Sequence, residues 1–225
     1  MASTSTLWYL KDLPLYRDVK PYVLNIPLAR IPNGQRTNQE CYPESSVKLN
    51  DIRLSTRTFN LDDMASRSLL KFRYFSTVRR RHSSFPAEPR GSELAETDQP
   101  VQGAHCDYTP LEAFKSLEKV VGKEKAAKVW TQRRVQIIQA WRPLRGPVID
   151  WPLAVCDVNS VDGKTELIAT DNVWSYAVFE TYNVLFSSKH AWYYIANQNE
   201  NETSLFKGFD NAEMFQLFVP MRLFS

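Results

Sequence analysis

The segment from His105 to Gly122 reads HCDYTPLEAFKSLEKVVG. It predicts a strand followed by a helix, and the other predicted elements are described relative to it. It opens with a histidine and an aspartate two positions apart, and residues at that spacing on a strand point to the same face. A helix follows, because Thr109 is a favourable N-cap, Pro110 takes the first helical position and Glu112 completes a capping box. Apolar residues then recur at helical spacing until Gly122 interrupts them.

Short stretches rich in β-branched or aromatic residues lie on both sides of this segment. Upstream, residues 7–28 and 47–59 alternate apolar and polar side chains, which is typical of extended strands. Downstream, turns that contain glycine, proline or asparagine separate most of the predicted strands, at residues 135–141, 153–158, 166–169, 182–186, 191–195 and 205–209. Many short strands with one long helix after the His-x-Asp strand predict a mainly β (α+β) fold of the β-sandwich or jelly-roll type.

The length and composition predict one domain. The chain has 225 residues, 43% of them hydrophobic, which is enough for a substantial core. Within a single domain of residues 1–225, we expect extended strands and a basic segment over residues 1–82. Residues 83–102 are polar and rich in proline, glutamate and serine, and are predicted to form a loop. Residues 103–225 then form the β core.

The charge and cysteine content exclude several classes of protein. The net charge of +3 is too small to indicate nucleic-acid binding, and the run Arg79–Arg81 is more typical of a solvated surface than of a phosphate site. Three widely spaced cysteines favour reduced thiols over a disulfide framework or a zinc finger. The sequence shows neither a secretory signal nor an apolar run long enough to span a bilayer. We therefore expect a cytoplasmic protein that binds neither membrane nor nucleic acid.

The His105–Asp107 pair is the clearest candidate for a metal-binding site. A histidine and a carboxylate on one face of a strand supply two ligands of the 2-His-1-carboxylate triad that holds non-heme Fe(II). The same spacing also occurs by chance in chains of this length. Such a triad needs a distant second histidine, and the only others are His82 and His190. Because aromatic residues follow His190, a packed structural role is the more ordinary interpretation for it.

Longer stretches resemble a known family. The chain is similar to the AsaB-like fungal hydroxylase/desaturase family, which includes gibberellin desaturase. The similarity is carried by HCDYTP at residues 105–110, IQAWRPLRGPVIDWPLAVCD at 138–157, HAWYY at 190–194 and LFKGFD at 205–210. The long block around the tryptophan, arginine and proline is too specific to be a chance match.

This resemblance implies a double-stranded β-helix in which Fe(II) and 2-oxoglutarate serve the oxidation of a small molecule. The resemblance also implies the function, that of an oxidoreductase that hydroxylates or desaturates a natural-product intermediate in fungal secondary metabolism. His105 and Asp107 match the family's first two iron ligands. Trp141 and Arg142 are candidates for cofactor or substrate binding; Arg142 would either contact a carboxylate or form a structural ion pair.

The sequence also departs from the family pattern. Met221 occupies the position of the expected third ligand, which leaves His190 as the alternative ligand. A family segment has no counterpart between Leu70 and Tyr74, and the arginine expected to bind 2-oxoglutarate would follow Ser225. These departures support an alternative function: a catalytically inactive relative, either a pseudoenzyme or a partner subunit of a homologous active oxygenase.

Overall fold

The computed structural model describes residues 3–56, 66–70, 103–149, 152–212 and 221–222. In chain order, its regular elements are β1 (Ser3–Leu10), β2 (Tyr22–Asn25), β3 (Cys41–Asp51), β4 (Ser66–Leu70), β5 (His105–Cys106), α1 (Pro110–Val121), α2 (Lys123–Gln132), β6 (Gln136–Trp141), β7 (Leu153–Cys156), β8 (Leu167–Trp174), β9 (Val178–Val184), β10 (Trp192–Tyr194), β11 (Thr203–Asp210) and β12 (Met221–Arg222). The predictions for Arg79–Arg81, His82 and the loop 83–102 lie outside the described residues.

Two larger sheets form the body of the fold. One has five strands in the order β1-β3-β10-β7-β12, and the other has four in the order β2-β8-β9-β5. Most neighbours are antiparallel, but β10 runs parallel to β3 and β2 runs parallel to β8. Single bridges join β1 to the second sheet, at Trp8 with Gly103 and at Leu10 with Leu185. The sheets therefore curl towards each other at this edge.

The main core lies between these two sheets. Its buried members come from strands of both sheets and are Leu7, Tyr9, Val47, Leu49, Ala104, Cys106, Ala154, Cys156, Leu167, Val184 and Trp192. Burying apolar surface of this kind is the main favourable term in folding. The mainly β, jelly-roll type of fold predicted from the sequence is confirmed.

A third sheet has the strand order β4-β11-β6. Phe206 of β11 is 4% exposed and packs against Trp141, Leu153 and Val158, which joins this sheet to β7 and the turn after it. The register between β11 and β6 shifts between Lys207 and Phe209, as at a β-bulge. The shift places one extra residue, Gly208, in β11 relative to β6.

The predicted long helix is divided in two at Gly122. Thr109 caps α1 by accepting a hydrogen bond from the Glu112 backbone N–H (3.2 Å), as the sequence predicted. Gly122 adopts φ = 84°, which glycine reaches without steric cost, and so it ends α1 and precedes α2. No helix in the described part of the chain is both long and apolar enough to cross a membrane.

Candidate metal centre

The backbone on both sides holds the strand that carries His105. The Ala104 N–H donates to the carbonyl of Trp8 (2.8 Å), and the Ala104 carbonyl accepts from the Val184 N–H (3.0 Å). His105 pairs with Asn183 on β9. Cys106 faces the core and is 1% exposed, so alternation along the strand directs His105 and Asp107 away from that core.

The side chains of His105 and Asp107 meet, as the sequence predicted. His105 Nε2 lies 3.4 Å from Asp107 Oδ1. His105 Nδ1 lies 2.7 Å from the Gly103 carbonyl, which can only accept, so Nδ1 carries a hydrogen. In the neutral ring, Nε2 then presents a lone pair beside a carboxylate oxygen. Two acceptors at this distance are stabilised by a cation shared between them, either a proton or a metal ion.

The environment of the pair favours its charged forms. Burial by itself would lower the pKa of the His105 imidazole and raise the pKa of the Asp107 carboxyl. The attraction between the two groups, together with the hydrogen bonds to Gly103 and from Gln139, outweighs burial, so the pKa of His105 is raised and the pKa of Asp107 is lowered. A cation is therefore favoured next to Asp107.

Gln139 completes the surroundings of Asp107. Its Nε2 donates to Asp107 Oδ2 (2.7 Å) from the neighbouring sheet. Gln139 was not among the predicted site residues. A signal was available, because Ile137, Gln139 and Trp141 share the partly buried side of β6, and a polar residue between two apolar ones on a buried face is informative.

His190 lies in a different setting. Its Nε2 is 2.9 Å from Glu166 Oε2, and its ring stacks on Tyr9 with 5.9 Å between centroids. In the described ranges, no three His, Cys, Asp or Glu side chains form a group that could hold a metal ion. The structure thus brings His105 and Asp107 together and does not add His190 to them.

The other predicted site residues lie on two different strands and a loop. Met221, at the expected third ligand position, belongs to β12 and pairs with Ala154 of β7. Trp141 ends β6 and packs on Phe206, while Arg142, the next residue, is exposed. Their roles in metal, cofactor or substrate binding stay predictions.

Comparison with protein families gives a match over more than half of the chain. Residues 70–221 match the family described as "Oxidoreductase/YMDC permease-like domain". This range includes His105, Asp107, Gln139 and Met221.

Curated relatives come from fungi. The chain is 36% identical over 128 residues to the "Fe(II)/2-oxoglutarate-dependent dioxygenase nvfI" of Aspergillus novofumigatus, which covers 53% of this chain and 43% of that protein. It is 32% identical over 136 residues to the "Hydroxylase/desaturase efuI" of Hormonema carpetanum, covering 56% and 45%. It is 37% identical over 82 residues to the "Aspirochlorine biosynthesis protein N" of Aspergillus oryzae, covering 36% and 34%. The chain spans less than half of the length of these relatives.

Solved structures show the same fold. The chain superposes on the iron and alpha-ketoglutarate-dependent endoperoxidase NvfI with a TM-score of 0.76 at 19% identity, covering all of this chain and 90% of the other. A tryptophan-to-phenylalanine variant of that protein gives a TM-score of 0.77. The resemblance inferred from the sequence motifs is confirmed at the level of the family. The chain belongs to the oxidoreductase family that matches residues 70–221, and it is related to the fungal Fe(II)/2-oxoglutarate-dependent dioxygenases and hydroxylase/desaturases.

Proposed function

We propose that this protein is an Fe(II)- and 2-oxoglutarate-dependent oxidoreductase that hydroxylates or desaturates a small natural-product intermediate. The observation that carries the proposal is the 3.4 Å approach of His105 Nε2 to Asp107 Oδ1, with Nδ1 of the same imidazole committed to Gly103. That arrangement leaves one nitrogen and one oxygen donor facing a shared position.

The donor chemistry fits a ferrous ion at two positions. An imidazole nitrogen and a carboxylate oxygen are two of the three donors in the facial triad of non-heme iron oxygenases. Neighbouring donors of an octahedral ion, at metal–ligand distances of about 2.1 Å, are about 3 Å apart. The observed separation of 3.4 Å is close to this value, so a small shift of either side chain would let both bind one ion.

In this proposal the chain's own residues bind the metal ion, the cofactor and the substrate and orient them. When bound, Fe(II) and 2-oxoglutarate supply the oxidation of a C–H bond by O₂, and the protein supplies ligands and position. The Gly103 carbonyl fixes the ring of His105, as carbonyl partners do for other metal-bound histidines. Trp141 and Arg142 are proposed to contact substrate or cofactor near the end of β6.

The relatives support the proposed substrate class. Their names include an aspirochlorine biosynthesis protein and a hydroxylase/desaturase, which supports hydroxylation or desaturation of a small biosynthetic intermediate. We infer a small-molecule substrate and a cytoplasmic location for this protein. A homologous oxygenase subunit as a partner stays a prediction.

Anaerobic titration with Fe(II) tests the proposal. The protein should bind one equivalent in the presence of 2-oxoglutarate, and admitting O₂ should convert 2-oxoglutarate to succinate. His105→Ala and Asp107→Ala should each weaken Fe(II) binding by more than about 100-fold, since loss of outer partners alone costs 10–100-fold. Asp171→Ala is the matched control, because this carboxylate on β8 pairs with Lys20 instead.

The result that contradicts the proposal is a wild-type protein that binds no Fe(II) at the protein concentration of the titration. That result is also the one expected of the inactive relative. Binding without succinate formation would keep the metal centre and reject the oxygenase activity. The two candidate functions are therefore separated by one experiment.

A further inference from the structure

The Gln139 amide has one possible orientation at Asp107. Its nitrogen lies 2.7 Å from Asp107 Oδ2, and an ionised carboxylate only accepts hydrogen bonds. Turning the amide over would bring two oxygens together. The nitrogen therefore faces Asp107, and Gln139 Oε1 faces the opposite way.

Gly208 makes room for this amide. A Cβ atom added at Gly208 of β11 would lie 2.5 Å from Gln139 Oε1 and 3.2 Å from Tyr108 Cδ2. The first distance is too short for any side chain to coexist with the amide where it stands. The Gln139 amide thus occupies the space that a side chain at Gly208 would need, so a larger residue at Gly208 would displace it.

The amide lies at this position although its oxygen is unsatisfied. Gln139 Oε1 is buried and has no hydrogen-bond partner among the described residues. A leucine of similar size would fit the same partly buried side of β6, next to Ile137 and Trp141, without this cost. The hydrogen bond to Asp107 is the interaction that the amide makes and a leucine would lack.

We propose that Gln139 is a positioning residue of the metal centre, which holds Asp107 Oδ2 so that Oδ1 alone faces His105 and the metal ion. The inference rests on the proposed function and extends it to a residue outside the ligand set. Carboxylates bind metal ions through one oxygen or through both. By occupying Oδ2, the Gln139 amide would leave Oδ1 as the Asp107 oxygen that binds the ion.

Co(II) binding measures this role without turnover. Gln139→Leu should weaken Co(II) binding by about 10–100-fold, the range typical of lost outer partners, and should change the visible absorption of the bound Co(II). Gly208→Ala should act in the same direction, because it displaces the amide without removing it. Gln136→Leu is the matched control: it removes the same kind of amide from the same strand, where the amide donates to Asp210. Its Co(II) affinity and spectrum should match the wild type even where its stability is lower.

A crystal structure of metal-free Gln139→Leu gives a second readout. The Asp107 carboxylate should rotate away from its present approach to His105 Nε2. Wild-type protein that binds no Co(II) would overturn the proposed function and this inference with it. A different result would overturn only the inference about Gln139: the wild type binds Co(II), and both Gln139→Leu and Gly208→Ala bind it with the same affinity and spectrum as the wild type.

Discussion

His190 Nε2 lies 2.9 Å from Glu166 Oε2, and the histidine side chain is only 1% exposed. The nitrogen donates its hydrogen to the carboxylate, which leaves Nδ1 as an acceptor. Nδ1 is buried and has no hydrogen-bond partner within the described ranges. A second proton on the ring would create a buried N–H without an acceptor. The pair is therefore stable with His190 neutral.

The free energy of unfolding should fall as this histidine becomes protonated. Burial lowers the pKa of His190, and Glu166 offsets only part of that effect. Because the unfolded chain binds the proton at higher pH than the folded protein, folding loses stability as the pH falls through about 6.5, the ordinary pKa of histidine, and below it. In His190→Gln this loss should disappear, while the carboxylate keeps a donor.

Denaturant unfolding at pH 7.5, 6.5 and 5.5 checks this prediction. The difference in stability between wild type and His190→Gln should shift in favour of the variant at each lower pH. The His105 imidazole also titrates, but its raised pKa acts in the opposite direction and is common to both proteins. If the free energies of unfolding of wild type and His190→Gln changed equally with pH, His190 would not be the group that causes the loss of stability.

Asp210, on the third sheet, is the buried centre of a cluster of charged and polar side chains. Its side chain is 0% exposed and accepts hydrogen bonds from Arg134 Nη2 (2.6 Å), Gln136 Nε2 (2.8 Å) and Lys207 Nζ (3.0 Å). Burial would raise the pKa of Asp210, but these donors hold it well below its usual range. Lys207 is also 0% exposed, so the two charges depend on each other.

Asp210→Asn should therefore lower the free energy of unfolding by about 3–5 kcal/mol, as when one partner of a buried ion pair is removed. Chemical denaturation at pH 7 measures the change. Lys11→Ala breaks the exposed pair with Glu40 and should have no measurable effect. A loss of under about 1 kcal/mol in Asp210→Asn would mean that water or a rearranged partner compensates for Lys207.

The elements that follow from local sequence were predicted well. The cap at Thr109, the stop at Gly122 and the convergence of His105 with Asp107 depend on neighbours along the chain, and the structure confirms them. The predicted strand at residues 205–209 corresponds to β11, which extends it at both ends. Such helices and strands can be located from the sequence because turn residues and hydrophobic periodicity are local features that span only a few residues.

The relationships that depend on distant segments were not predictable. Gln139 of β6 donates to Asp107 from another sheet, and Gly208 of the neighbouring strand β11 leaves room for its amide. The contact between Lys207 and Asp210 accompanies the register shift in β11. Strand order and register depend on packing between distant strands, which short stretches of sequence do not reveal. The departure that the family resemblance implies at Met221 was inferred from the sequence alone and stays a prediction.

Tyr9 and Trp192 join the first strand to β10 inside the main core. Trp192 Nε1 donates to the Tyr9 hydroxyl at 2.9 Å, and both side chains are 0% exposed. Tyr9→Phe would leave the indole N–H without this acceptor, and it should lower the free energy of unfolding by about 1–3 kcal/mol. Tyr176→Phe changes a 43% exposed side chain and should stay within about 0.5 kcal/mol of wild type. Equal stabilities of the two variants would contradict the prediction.

The last prediction concerns Met221 and the proposed metal centre. The family resemblance assigns its position to the third iron ligand, and in the structure it lies opposite Ala154 of β7. A thioether is a soft ligand suited to copper(I), whereas imidazole suits iron. We therefore expect the wild-type protein to bind Fe(II) through two protein donors, more weakly than a complete triad would.

Met221→His should restore the third donor and tighten Fe(II) binding by at least about 10-fold, because a protein ligand contributes no less than the outer partners whose loss costs that much. Anaerobic titration of wild type and variant measures the difference, with Arg222→His on the same strand as the control. If Fe(II) binds more tightly to Met221→His but not to Arg222→His, position 221 is the position of the third ligand. Equal affinities in all three proteins would show that β12 does not contribute a ligand to the ion held by His105 and Asp107.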